Sequence, residues 1–214
     1  MRLGVLVSGS GTNLQAILDA VATGALDASV AVVISNVSTA AGLTRASNAG
    51  VATEVVNHRE YASREAFDAR LVERLRHHQV DTVVLAGFMR IVTRVLLEAF
   101  PRRVVNIHPA LLPSFAGVHA QRQALNYGVR VAGCTVHLVD EGTDTGPILA
   151  QAVVPVLDDD DEESLGARIL VQEHALLPKV LQWISEGRVR VEERFGKRPR
   201  VFVTGVRTVS GLLE

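Results

Sequence analysis

Cysteine is nearly absent from this 214-residue chain, and that scarcity removes whole classes of function at the outset. Cys134 stands alone, so no intramolecular disulfide can form and no cysteine-rich metal site can be assembled. An excess of charge is missing too. With 22 Lys and Arg against 23 Asp and Glu, the formal net charge is -1, which gives no electrostatic footprint for nucleic acid. No apolar run reaches the ~20 residues needed to span a bilayer. Met1-Arg2 runs straight into a strand-like Leu3-Gly4-Val5-Leu6-Val7, which does not read as a secretory leader. Internal repeats and Pro/Ser-rich linkers are lacking. What remains, 48% hydrophobic and 21% charged residues, suits one cytoplasmic α/β domain with a substantial core and no membrane partner.

The first half alternates apolar strand-like runs (3–7, 29–34, 52–56, 82–85 and 104–107) with helix patterns at about 12–22, 41–49, 63–77 and 93–99. In the third helix, Ala66, Leu71, Val72 and Leu75 are expected on one side. This rhythm predicts a doubly wound, mostly parallel, Rossmann-like sheet with helices on both faces. Ligands of such sheets bind beyond the carboxyl ends of the strands, so 8–13, 87–90 and 106–109 are expected to converge there. The second half changes character. A helix at about 119–127 precedes β-rich runs at 130–139 and 148–157, which are expected to pair antiparallel around the loop 140–147. A long helix over 164–185 follows, with Pro178 expected to kink it, and short strands are expected at 188–191 and 200–203. The acidic run 158–163 reads as a solvated loop that complements the helix dipole, with Ser164 or an aspartate as the cap. His77 and His78, closing the third helix, read as surface residues.

Two motifs carry chemistry. Ser8-Gly9-Ser10-Gly11-Thr12-Asn13 links the first strand to the first helix, where glycines expose backbone N–H groups and a helix N-terminus favours an anion. No Gly-Lys-Ser/Thr follows, so it is not a Walker loop. Leu14 replaces the third glycine of a dinucleotide fingerprint, and Ser35-Asn36 ends the second strand where a ribose-binding acid would stand. A phosphorylated small molecule is the better match, with a plain strand-helix turn as the alternative. Asn106-Ile107-His108-Pro109 ends the fifth strand and is followed by Asp144-Thr145-Gly146-Pro147. Residues two apart in a strand share a face, so Asn106 and His108 project side by side. An amide donor, an imidazole and a carboxylate suit acyl transfer, although a structural histidine and a tight turn would leave the same trace.

Together with Val84-Leu85-Ala86-Gly87-Phe88-Met89-Arg90-Ile91, Ala110-Leu111-Leu112-Pro113 and Gln172-Glu173-His174, these segments resemble the phosphoribosylglycinamide formyltransferases, folate-dependent enzymes of purine synthesis. The resemblance covers about 1–190, in order. It implies one formyltransferase domain, with a phosphate-binding half at about 1–100, a folate and catalytic half at about 101–190, and a tail over 191–214. It also implies 10-formyltetrahydrofolate as cosubstrate, small-molecule substrates only, no metal, and a monomer or homodimer.

Residue by residue, it implies that Asn106 binds the formyl oxygen. His108, its charged form favoured by Asp144, stabilises the oxyanion, and Asp144 holds a proton-shuttling water. The ribosyl phosphate falls to Gly11, Thr12 and Asn13, and the rest of the substrate to Gly87, Met89, Pro109 and Glu173. The folate falls to Met89, Arg90, Ile91, Val92, Asn106, Val139, Asp140 and Glu141, with Arg64 and Arg90 near its glutamate end. Ala116 stands where the family usually has proline. Two other readings stay open. One is a formyltetrahydrofolate deformylase or methionyl-tRNA formyltransferase, each of which carries a further domain. The other is a non-catalytic binding protein for folate or a phosphosugar.

Overall fold

The structure, a computed structural model, describes residues 1–206. Seven strands form one sheet in the order β3-β2-β1-β4-β5-β6-β7, and two more form a separate pair. The chain divides into two compact units, Met1–Asn106 and from Ile107 onward.

In the first unit, β1 (Arg2–Val7) lies between β2 (Ser29–Ser35) and β4 (Thr82–Leu85), with β3 (Thr53–Val55) beyond β2. The fifth strand, β5 (Val104–His108), begins here beside β4. All these pairings are parallel, as the βα rhythm requires. Residues 3–7 of β1 are buried without alternation, the mark of a strand covered on both faces. Four helices cross between the strands: α1 (Thr12–Ala22), α2 (Ala41–Asn48), α3 (Arg64–His77) and α4 (Arg94–Ala99). Leu14, Ile17 and Leu18 form the buried stripe of α1 at helical spacing.

The inward face of α3 differs from expectation. Phe67, Asp68, Leu71, Val72 and Leu75 are buried and Ala66 is exposed. One residue is 100° of rotation, and the bulkier Phe67 takes the inward side. Gly4 explains how closely α3 packs. A Cβ there would stand 2.4 Å from Leu75 Cδ2, so the side-chain-free position admits the leucine. His78 is likewise not a plain surface residue, because its Nε2 lies 2.6 Å from Glu54 Oε1, while Arg74 grips both oxygens of the same carboxylate. Its neighbour His77 is exposed. A short 3-10 turn, His58–Glu60, was not expected; the Asn57 side chain caps it by accepting from Arg59 N at 3.1 Å.

In the second unit, β6 (Val131–Leu138) and β7 (Ile148–Pro155) pair antiparallel, Cys134 opposite Ala152 and Thr135 opposite Gln151. Against them pack α5 (Ala120–Tyr127) and α6 (Glu162–Ser185), and Ala124, Cys134, Val154, Leu165 and Ile169 form a common core. The long helix opens two residues earlier than expected, through a capping box: Ser164 N donates to Asp161 Oδ1 at 2.8 Å, and Asp161 N donates to Ser164 Oγ at 2.9 Å. Pro178 lies inside α6 without ending it. The acidic run is only partly solvated. Arg168 grips both oxygens of Asp160 at 2.6 and 2.8 Å, and this guanidinium holds the Asp160 carboxyl far below its usual range. The pair β8 (Val189–Arg194) and β9 (Lys197–Val203) is antiparallel and longer than the two short strands expected. The expected tail beyond 206 lies outside the described residues. Among the described residues, no helix is long and apolar enough to cross a membrane.

Candidate active site

The candidate site of the first unit is made of backbone. In register, Leu6 of β1 pairs Leu85 of β4, which pairs Asn106 of β5, so the carboxyl ends of three strands finish level. The loop after β1 and the turn after β4 are tied together there. Ser8 N donates to Gly87 O at 3.1 Å, and Met89 N donates to Ser8 Oγ at 2.8 Å. Having accepted from Met89, the Ser8 hydroxyl donates to Asn36 Oδ1 at 2.6 Å. That contact orients the amide, so Asn36 Nδ2 faces His58 Nδ1 at 3.2 Å as donor to acceptor. The Asn36 that argued against a dinucleotide site thus serves as a brace.

Residues 8–13 with Ala86, Gly87 and Met89 line a cavity of about 170 Å³. Gly11 caps α1 in the left-handed conformation (φ +69°), with no side chain capping the first turn, so the helix N–H groups remain available to an anion. Among the described residues, the backbone N–H groups of Ser10, Gly11 and Thr12 have no acceptor. A glycine is required at 11 for a second reason: a Cβ would stand 2.5 Å from Gly42 Cα.

The candidate site of the second unit is made of buried and half-buried side chains. His108, at the end of β5, is buried, and Asn106 two residues earlier is half-buried on the same face. His108 Nδ1 lies 3.3 Å from Asp144 Oδ2. Its Nε2 faces Phe115 O at 2.9 Å, and a carbonyl can only accept, so Nε2 carries a proton. Both ring nitrogens therefore face acceptors, an arrangement that complements the imidazolium. The donor expected to meet an oxyanion is held by Phe115 here.

Asp144 takes the left-handed conformation (φ +54°) and accepts from Gly117 N at 2.8 Å. Its other oxygen lies 3.6 Å from Nε2 of His137, a residue 2% exposed. His137 Nδ1 faces Leu138 O at 2.9 Å and so carries a proton as well. Burial alone would raise the Asp144 carboxyl; His137, the Gly117 N–H and the charge of His108 outweigh it and leave the group below its usual range. Asp144 is thus an anion between two imidazoles. Sequence reasoning missed His137, and the signal was a basic residue in the otherwise apolar run 134–139.

The remaining residues named from the resemblance fall as follows. Gly87 is exposed, and Pro109 is half-buried at the start of the loop after β5. That loop is fixed by Thr135, whose Oγ1 donates to Ala110 O at 2.6 Å and accepts from Leu112 N at 3.0 Å. Glu173 of α6 is buried, and its negative charge, after burial itself, pushes the Cys134 thiol up to about 12. After β4, Met89 and Ile91 are 72% and 54% exposed, Arg90 is half-buried and Val92 buried. Arg64, first residue of α3, is exposed, as are Asp140 and Glu141, while Val139 is half-buried. Asp140 shapes its own loop by accepting from Gly142 N at 3.1 Å and Thr145 Oγ1 at 2.6 Å.

The family described as formyl transferase matches residues 1–181. The chain belongs to the formyl transferase family. Phosphoribosylglycinamide formyltransferase of Escherichia coli (strain K12) is 44% identical over 193 residues, covering 90% of this chain and 91% of that protein. The trifunctional purine biosynthetic protein adenosine-3 of Drosophila melanogaster is 48% identical over 188 residues, but the chain spans only 14% of that protein's length. Among solved structures, glycinamide ribonucleotide transformylase 1 from Symbiobacterium toebii superposes with a TM-score of 0.91 at 53% identity, covering 95% of this chain and 93% of that one.

Proposed function

We propose that the protein transfers the formyl group of 10-formyltetrahydrofolate to the amine of phosphoribosylglycinamide, in purine synthesis in the cytoplasm, acting on small molecules as a monomer or homodimer. The observation that carries this reading is Asp144, a half-buried carboxylate kept anionic between His108 and His137. Binding alone does not require such a group, whereas formyl transfer does. The amine attacks the formyl carbon, a C–N bond forms, and the carbonyl electrons move onto oxygen. Asn106 and His108 donate to that oxyanion, and a preorganised donor of this kind is worth roughly 3–4 kcal/mol of barrier. For His108 this means exchanging the Phe115 carbonyl for the oxyanion. The amine then loses a proton through water held by Asp144, the C–N bond to the folate breaks, and that nitrogen takes the proton.

In this reading Gly11, Thr12 and Asn13 hold the ribosyl phosphate beside Gly87 and Met89, while Pro109 and Glu173 serve the glycinamide and ribose. The residues assigned to the formyl donor fit its chemistry. Met89, Ile91, Val92 and Val139 offer apolar surface, Asp140 and Glu141 offer acceptors, and the Arg64 and Arg90 guanidiniums match carboxylates. The test is a folate-product absorbance assay with and without the ribonucleotide. Turnover that requires the ribonucleotide is the expected result. Turnover without it would establish a deformylase, and folate binding with no turnover a binding protein.

A further inference from the structure

A phosphate loop without a lysine must obtain its orientation and its positive charge elsewhere, and the second helix is placed to supply both. Two successive carbonyls of the loop are held from α2. Gly42 N donates to Gly9 O at 3.1 Å, and Arg45 Nε donates to Ser10 O at 2.8 Å. A trans peptide is planar, with its C=O and N–H on opposite sides. Pinning the carbonyls of Gly9 and Ser10 toward α2 therefore turns the N–H groups of Ser10 and Gly11 the other way. Successive N–H groups turned to one side form an anion-binding concavity, which here continues into the first turn of α1. The close approach that makes this possible is glycine against glycine. Gly11 leaves no Cβ to meet Gly42 Cα, and Gly42 lies against Val7 of β1 with room for no more than a hydrogen.

Arg45 does more than hold a carbonyl. Its Nη1 donates to Gln15 Oε1 at 3.3 Å at the end of the first turn of α1, so the guanidinium bridges the loop and the helix that follows it. Only two of its five N–H donors are engaged among the described residues.

We infer that Arg45, with Gly42, is the positioning element of the phosphate loop: it turns the Ser10 and Gly11 N–H groups toward a phosphate and supplies the cation that the loop's own sequence lacks. The inference rests on the proposed phosphate site for its substrate, but its central measurement uses inorganic phosphate and needs no turnover.

The experiment compares wild type, Arg45→Met and Arg45→Lys for the Kd of inorganic phosphate by calorimetry, and for kcat and the two KM values in the formyl-transfer assay. A charge-assisted contact is among the strong ones, so Arg45→Met is expected to weaken phosphate at least about tenfold. It should raise the ribonucleotide KM in parallel, with kcat and the formyl-donor KM within about twofold. Lysine keeps the charge but cannot bridge Ser10 O and Gln15 Oε1 at once, so Arg45→Lys is expected to fall between the other two proteins. It also decides the matter if Arg45→Met fails to fold. Phosphate affinity equal to wild type in either folded variant overturns the inference, as does a common shift of both KM values and kcat. Phosphate binding that depends on Arg45 in a protein inactive on the ribonucleotide would sink the proposed function and leave this inference standing.

Discussion

The candidate sites of the two units are built from different materials. In the first unit, the loop proposed to hold the phosphate presents peptide groups, and what matters is the absence of side chains at Gly11 and Gly42 and the carbonyls held by Gly42 N and Arg45. In the second, the proposed transfer site presents titratable side chains, His108, Asp144 and His137, each buried or half-buried with acceptors and donors fixed around it. A backbone site depends on shape. A side-chain site depends on charge. The first should be broken by adding a methyl group, and the second by an isosteric change that adds almost no volume.

Asp144→Asn is the sharpest of these isosteric changes. It removes the anion and keeps the shape, so kcat should fall about 10²–10⁴-fold, the usual worth of a positioned acid-base group, while folate binding stays near wild type. Turnover within tenfold of wild type would remove Asp144 from the chemistry. The reciprocal test is Gly11→Ala. It forces a side chain into a left-handed position against Gly42 Cα, 2.5 Å away, and should cost about 1–3 kcal/mol, read from denaturation midpoints, together with a higher ribonucleotide KM. A variant as stable as wild type would mean that α2 can give way.

His137→Gln probes the embedded charge more gently. Burial raises the Asp144 carboxyl and the histidines lower it. Loss of one should therefore move the acid limb of the kcat/KM profile to higher pH, with a loss of about tenfold or less at neutral pH. An unmoved limb would leave His137 as packing.

The smallest effect concerns an ion cluster of the first unit. Glu54, held by Arg74 and His78, is lowered from 4.5 to about 2 in the folded protein. A depressed carboxyl stabilises above its unfolded value and loses that contribution as pH falls through the folded one. Wild type should therefore exceed Glu54→Gln by about 1 kcal/mol near pH 7, with the gap closing between 4.5 and about 2. A gap that is constant with pH would contradict the pairing.

Much of the fold was legible because its signals are local. Each expected strand and helix of the first half appears within a residue or two, since apolar runs bounded by Gly, Asn and Ser punctuate the chain. The capping of α6 was legible down to its residue types, because a cap is a contact three residues long. What was misread depended on partners far away in sequence. Ala66 and Phe67 differ only in which side meets Leu75 and the sheet. His78 looked like a surface cation until Glu54, 24 residues earlier, came beside it. Asp160 looked solvated until Arg168, eight residues later on α6, folded back onto it.

The same division holds at the site. By itself the sequence determined the parallel strand order's rhythm, the glycine-bearing loop after β1, and the pairing of Asn106 with His108 on one face, because period and glycine placement are properties of neighbouring residues. Tertiary structure alone decided that Asp144 lies between two histidines, that Phe115 O holds the second nitrogen of His108, and that α2 sets the direction of the loop's peptides. The reason is physical. Charge placement and peptide orientation depend on distances of about 3 Å between residues that stand 7 to 36 positions apart in the chain, and no local pattern records such distances.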